Sequence, residues 1–415
     1  MSPTLAPVLA IDFGTSNTAA AIMEGGTVHR IPVEAGSDTL PTAVFFPARG
    51  GAMRMGEVAA RALTGAEEGR YMRALKSVLG TPLMHESRLI AGRRRTLADV
   101  IAGFLAELRR RAEVAVGHGF TRVLSGRPVH FHSDPARDAQ SEADLRACYH
   151  AAGFTEVAFM PEPEAAALAC HGMGGAGETG LILDIGGGTS DFSVYRTEGG
   201  RVRILASHGI RLGGTDFDAA LSLTHAMPLL GHGGQLRREM GPGLLPVPNA
   251  IYADLATWAH IPFVYTPENR RLARQMARLA VEPAPLERLV TVLTDELGHD
   301  LAFAVERGKI AANGGTGDNI AMGFIEPRLA APISGPSLRD ALQGHGRDLE
   351  EAVAETLSRA GVAAEGIGSV VLVGGSSLMG LVTDLAARMM PSARLHRSDA
   401  FTAVVDGLAL ATGEE

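Results

Sequence analysis

Lysine is nearly missing from this chain. Of 38 basic residues only Lys76 and Lys309 are lysines, leaving 36 arginines. Where a cation merely solvates a surface the chain uses arginine, so the two exceptions mark positions suited to a compact ammonium rather than a planar fork. Their scarcity also excludes a Walker loop, which needs G-x-x-x-x-G-K-[ST]: Lys76 sits in no such motif, and Gly308-Lys309 is followed by Ile310. Cysteine is as scarce. Cys148 and Cys170 alone fit a reducing, cytoplasmic setting and make a disulfide framework unlooked for. No apolar run approaches the ~18 residues of a membrane span, and MSPTLAPVLAID has no basic stretch before its first strand, so neither membrane nor signal peptide is expected. A net charge of −8 argues against nucleic acid as a partner. The short arginine clusters at 93–95 and 109–111 then read as exposed helix faces.

What is present is glycine. With 51 glycines and 46% hydrophobic residues in 415, the composition is that of a turn-rich α/β protein of two or three folding units. LILDIGGGTSDFSVY, Leu181 to Tyr195, reads as two strands joined by a tight hairpin. Glycines there leave backbone N–H groups bare, and with hydroxyls beside them they form a nest for an anion such as phosphate. A carboxylate in the same turn would repel phosphate unless a divalent cation lay between, which suits magnesium. The same grammar recurs in LAIDFGTSNTAAAI, Leu9 to Ile22, 172 positions earlier counted from Asp12 to Asp184. Matching residue types pairs Gly14 with Gly187 or Gly188, Thr15 with Thr189 and Asn17 with Asp191. Two such hairpins imply two similar halves offering phosphate turns to one shared cleft. GMGGAG, Gly172 to Gly177, matches G-x-G-x-x-G but comes after a helical stretch and precedes a strand, the reverse of the dinucleotide fingerprint, and reads as a linker.

Coarse patterning places strands from Val8 to Phe46, helices at Glu57 to Leu79 and Thr96 to Val116, a strand near Val123, and helices from Asp134 to Gly153 and from Glu162. Beyond the second hairpin, LGGTDFDAALSL enters a helix, and helical sequence continues to Ala311 apart from the loop GPGLLPVPN. A buried strand, Ser369 to Ser377, and a helix from Phe401 to Thr412 close the chain.

IDFGTSN, EPEAAALA, LDIGGGTSDFSV, LGGTDFD and VVLVGGSSLMG, taken in chain order, resemble the nucleotide-binding domain of the 70-kDa heat-shock (DnaK-type) chaperones, a branch of the actin-like ATPases. The resemblance implies an α/β fold of two ribonuclease-H-like lobes around a nucleotide cleft. Lobe I would be 1–175 with an insertion at about 37–117, and lobe II 176–415 with an insertion at about 219–311. With the sequence ending at ATGEE, it is similar to the stand-alone YegD type, without a peptide-binding domain.

The resemblance also implies roles. ATP or ADP would be held by Gly14, Thr15, Ser16 and Asn17 of the first turn and by Gly186, Gly187, Gly188 and Asp191 of the second, with Mg²⁺ bound through water by Asp12 and Asp184. Lys76, Glu162, Asp184 and Thr189 would be catalytic, Lys76 touching the γ-phosphate and Glu162 orienting water. Gly213, Gly214, Gly374, Gly375, Ser376, Leu378 and Asp399 would approach the nucleotide, with Glu306 and Lys309 at the ribose. Where the chaperones sandwich adenine between two arginines, this chain has Ile310 and Leu378. Pro128 and Arg137 fall near the chaperones' nucleotide relay. His130, His132 and Asp134 alternate as zinc ligands on a strand would, although Pro135 comes next and an ordinary strand end is the simpler reading. The function so implied is a slow ATPase switch with client or co-chaperone partners. A non-hydrolysing nucleotide sensor, a small-molecule kinase or an MreB-like filament subunit are the alternatives.

Overall fold

The computed structural model describes residues 7–34, 36–65, 67–169, 177–198, 201–317, 319–397 and 402–413. Cys170, most of the GMGGAG segment, Asp399 and the expected lobe boundary at 175/176 lie outside them.

Two sheets of the same design organise the chain. In the first, strand Val8–Phe13 is central; the antiparallel strands Asn17–Glu24 and Thr27–Arg30 extend one side, and the parallel strands Arg122–Arg127 and Glu156–Pro161 the other. In the second, Thr179–Ile185 is central, flanked by antiparallel Ser190–Glu198 and Arg201–Ile210 on one side and parallel Ser369–Val373 and Arg394–Arg397 on the other. This is the repeated α/β lobe expected of an actin-like ATPase. Each central strand is covered on both faces, which is why LILDI runs apolar without alternating and is buried throughout.

Two helices cross between the sheets. Helix Glu162–Ala169 leaves the first sheet and packs on strands of the second, while Ala403–Thr412 comes after the second sheet and packs on the first. Small residues let them approach closely: a Cβ on Gly407 would sit 1.7 Å from the Ala165 carbonyl oxygen. Around that crossing Ala10, Ile182, Val371 and Leu408 form one core.

The chain divides into two compact units, residues 1–214 with 348–415, and residues 215–347. Both sheets belong to the first. So does the small sheet of Ala43–Pro47, Arg54–Met55 and Gly69–Arg73. The second unit is mainly helical, with Pro267–Leu279 packed on Pro283–Thr294. In its interior the Lys309 ammonium lies 2.7 Å from Asp218 Oδ1, and the Trp258 indole N–H donates to Asp218 Oδ2 at 3.1 Å.

Several expected elements differ. The helix expected over Glu57 to Leu79 stops at Thr64, and the strand Gly69–Arg73 and a 3₁₀ turn at Leu75–Val78 take its second half. Good helix formers such as Met72 and Arg73 are overridden by pairing with Ala43–Val44. The GPGLLPVPN loop contributes a strand, Leu244–Pro246, paired with Gln235–Arg237. The Ser369 strand ends at Val373, and Gly375–Leu378 is a 3₁₀ turn. Helix Gln343–Ala360 carried no expectation.

Candidate nucleotide site

The two glycine turns are the same object built twice. Gly14 N–H donates to the Asn17 carbonyl at 3.0 Å, and Gly186 N–H donates to the Thr189 carbonyl at 3.0 Å. The ladders agree: Asp12 pairs with Ala19 and Phe13 with Thr18, as Asp184 pairs with Asp191 and Ile185 with Ser190. Every equivalence is therefore offset by 172, the separation of Asp12 and Asp184. Matching by residue type was wrong in the turn itself. Gly14 corresponds to Gly186, Thr15 to Gly187, Ser16 to Gly188, Asn17 to Thr189, and Ala19 to Asp191.

The turns meet tip to tip. A Cβ on Gly187 would fall 2.3 Å from Ser16 Oγ, and one on Gly188 would fall 2.9 Å from Thr15 Oγ1. Gly213 closes against the back of the second turn, where a Cβ would lie 2.5 Å from Gly188 N. Gly374 needs its φ of 80°, and a Cβ there would meet the Ile185 carbonyl at 2.4 Å and Asp184 Oδ1 at 2.8 Å.

These approaches leave a cleft of about 670 Å³ when the open solvent at its mouth is counted in. Of the residues expected at the site it brings together Asp12, Gly14 to Asn17, Lys76, Glu162, Asp184, Gly186, Gly187, Thr189 and Gly374 to Ser376. Val373 and Val404 complete its lining. Sequence reading missed both, because a valine in a strand or helix carries no chemical signal beyond core.

Lys76 comes from the 3₁₀ turn after Gly69–Arg73, entered through Ala74 at φ 58°. It is 7% exposed, and its Nζ lies 2.5 Å from Glu162 Oε1. Glu162 opens its helix directly after the strand Glu156–Pro161, so strand and helix together aim it. Burial alone would lower the Lys76 pKa, but Glu162 first and then Asp12 hold it above the ordinary lysine value.

The carboxylates are crowded. Burial, followed by the Glu162 charge, pushes Asp12 up to about 7 against the opposing pull of Lys76. Asp184 is raised well above the ordinary range by burial, then by Glu162, Asp191 and Asp12. One ammonium does not neutralise this cluster. All its donors are hard oxygens, which fit magnesium. Among the described residues no three such side chains converge to grip an ion directly, and magnesium, which keeps several waters, needs only one or two carboxylates.

Other expected residues lie elsewhere. Asp191 does not line the cleft: it is 1% exposed, and its Oδ1 accepts from the Val129 N–H at 2.6 Å. Gly188 and Gly213 pack the turn rather than line the space, and Gly214 N–H donates to the Gly186 carbonyl at 3.0 Å. Lys309 is only 8% exposed in the second unit, with its ammonium on Asp218. Glu306 is one helical turn away on the same helix, Gly298–Asn313. Leu378 and Ile310 are 42% and 62% exposed, each within its own unit. His130, His132 and Asp134 lie past the end of strand Arg122–Arg127 and form no metal cluster. His132 Nδ1 instead accepts from the Asp134 N–H at 3.1 Å.

Comparison with known proteins points the same way as this geometry. Residues 84–228 match the family model of the Hsp70 protein. The chaperone protein DnaK of Endomicrobium trichonymphae is 32% identical over 225 residues, 52% of this chain. Both matches support an Hsp70-family nucleotide-binding domain in this chain. The aligned stretch spans 34% of that DnaK, about a third of its length. The Hsp70 model covers the second turn and Glu162 but not Asp12, Lys76 or Gly374. In the Hsp70-type domain the fold supplies those three to the same cleft from strands and turns outside the matched segment.

No helix among the described residues is long and apolar enough to cross a membrane.

Proposed function

We propose that the domain binds Mg-ATP and hydrolyses it slowly to ADP and phosphate, acting as a chaperone-like switch whose nucleotide state is read by client or co-chaperone proteins. Hsp70 proteins are ATPases, and the observation that carries the reading here is the buried Lys76–Glu162 pair beside two opposed, register-equivalent phosphate turns.

Phosphoryl transfer to water needs positioning and charge neutralisation more than covalent chemistry. The N–H groups of the two turns, with the hydroxyls of Thr15, Ser16 and Thr189, bind phosphate oxygens. Asp12 and Asp184 would hold the magnesium waters, and the ion neutralises phosphate charge when bound. The Lys76 ammonium meets the charge that spreads over the γ-phosphate as its bond breaks. Glu162, fixed by that same lysine, accepts a hydrogen bond from the attacking water and orients it. Gly374, which has no side chain, lets the nucleotide approach the backbone at the end of strand Ser369–Val373. Apolar Leu378 in place of a planar cation stacks less strongly on a base, so nucleotide affinity falls below that of a chaperone with both arginines.

The test is Mg-ATP binding by calorimetry with single-turnover hydrolysis, comparing wild type with Lys76→Ala. Binding by both with turnover reduced ~10²- to 10³-fold in the variant is expected. Absence of ATP binding in the wild type would sink the reading.

A further inference from the structure

Lys76 is presented to the cleft by a segment with little regular structure. The strand Gly69–Arg73 hands over to the 3₁₀ turn Leu75–Val78, Gly80 bends the chain at φ 69°, and a second 3₁₀ turn comes at Pro82–His85. Short 3₁₀ pieces have poor hydrogen-bond geometry and hold their shape through what surrounds them. Two contacts from elsewhere in the fold pin this one. On the solvent side the exposed Arg211 donates from its guanidinium to the Ser77 carbonyl at 2.8 Å. The other contact is buried. Asp144, on helix Pro135–Ala151, accepts the Gly80 N–H at Oδ2 at 3.0 Å. Its Oδ1 accepts from the Gln140 amide at 2.7 Å and lies 3.1 Å from His85 Nε2. Asp144 is only 4% exposed, and its two oxygens tie the helix to both ends of residues 80–85. The packing beneath is close. A Cβ on Gly80 would fall 2.2 Å from Ser141 Oγ and 2.6 Å from the Arg137 carbonyl oxygen.

We propose that Asp144 is a positioning residue for Lys76, fixing the backbone from which the ammonium reaches the γ-phosphate. Its consequence for rate rests on the hydrolysis reading above; the anchoring of the turn does not. In the nucleotide-free cleft the ammonium is held at its tip by Glu162. Once a γ-phosphate shares that ammonium, the tip is no longer fixed by Glu162 alone, and the origin of the flexible four-carbon stem decides where the charge sits. Removing the Asp144 acceptor leaves the Gly80 N–H unpaired between turn and helix, a penalty the turn relieves only by moving. A displacement of about an ångström at a catalytic group costs up to ~10²-fold in rate.

The scarcity of lysine supplies the test. With ε-¹³C-lysine incorporated, the full chain gives two lysine side-chain resonances, from Lys76 and Lys309, and Lys76→Ala assigns them. Asp144→Asn keeps an oxygen for the Gly80 N–H, and a flip of the Gln140 amide accommodates the new nitrogen; Asp144→Ala removes the acceptor. In nucleotide-free protein the Lys76 resonance is expected to shift or broaden in Asp144→Ala and to hold its wild-type position in Asp144→Asn, with Lys309 unmoved in both. An unmoved Lys76 in Asp144→Ala, or equal movement in the two variants, would overturn the proposal. So would joint movement of Lys309, which lies in the other compact unit and would report a general loosening. With Mg-ATP, Asp144→Ala should hydrolyse ~10-fold more slowly in single turnover at unchanged affinity, and Asp144→Asn within about 2-fold of wild type. Weakened binding at an unchanged rate counts against a role at the γ-phosphate. A wild type that does not hydrolyse ATP sinks the hydrolysis reading alone, and the two resonances still decide whether Asp144 places Lys76.

Discussion

The ammonium of Lys76 stays charged in a site where burial works against it, because Glu162 and Asp12 stand close enough to outweigh the loss of water. Its rarity in the sequence is what singled it out, and Lys309, equally rare, shows the limit of that clue. Both are buried and both face a carboxylate, yet Lys309 stands on Asp218 inside the helical unit and does not line the cleft. A sequence shows that a compact cation is wanted; only packing shows whether its partner is a ligand or the protein. Cys148 is a simpler case. Burial first, then Asp144 and Asp99, pushes its thiol up to about 12. In a Cys170→Ser background, native Cys148 should alkylate at pH 8 about 10³-fold more slowly than in the unfolded chain, as thiolate supply dictates. Rapid labelling of the native protein would contradict that burial.

At the scale of elements, hairpins were legible and short irregular pieces were not. Apolar runs flanking glycine announce both turns, because a fully buried strand needs apolar residues on both faces. The 3₁₀ turn carrying Lys76 was hidden, since RYMRALKS is made of good helix formers and only its pairing with Ala43–Pro47 makes the first part a strand. Several of the glycines expected at the phosphates also clear a neighbouring backbone, as Gly14, Gly213 and Gly374 do. Gly213→Ala is expected to cost about 1 to 3 kcal/mol by forcing a Cβ against Gly188 N. It should also weaken ATP binding, because the displaced element is the second phosphate turn. A melting temperature and affinity both unchanged would show that the turn yields freely.

The whole molecule was legible in its repeat and less so in its division. The notion of two similar halves rests on the hairpins, and the strand order around each bears it out. One compact unit spans 215–347, whereas the insertion was expected at about 219–311. Calorimetric unfolding should separate the two units. Mg-ATP is expected to raise the transition of the unit that contains the cleft. Lys309→Met, which leaves the Asp218 carboxylate without its buried cation, should lower the other by about 3 kcal/mol or more. A single transition moved by both would deny the units independent stability. The tip-to-tip contact of the turns carries one last implication. If the second turn bore the Thr-Ser pair of the first at the equivalent positions, its side chains would occupy the space of Ser16 Oγ and Thr15 Oγ1. A perfect two-fold repeat would crowd its own axis unless the hydroxyls of one copy turned away. One copy keeps the hydroxyls and the other gives them up, so this pseudo-symmetric fold presents two unlike faces to a ligand that itself has no symmetry.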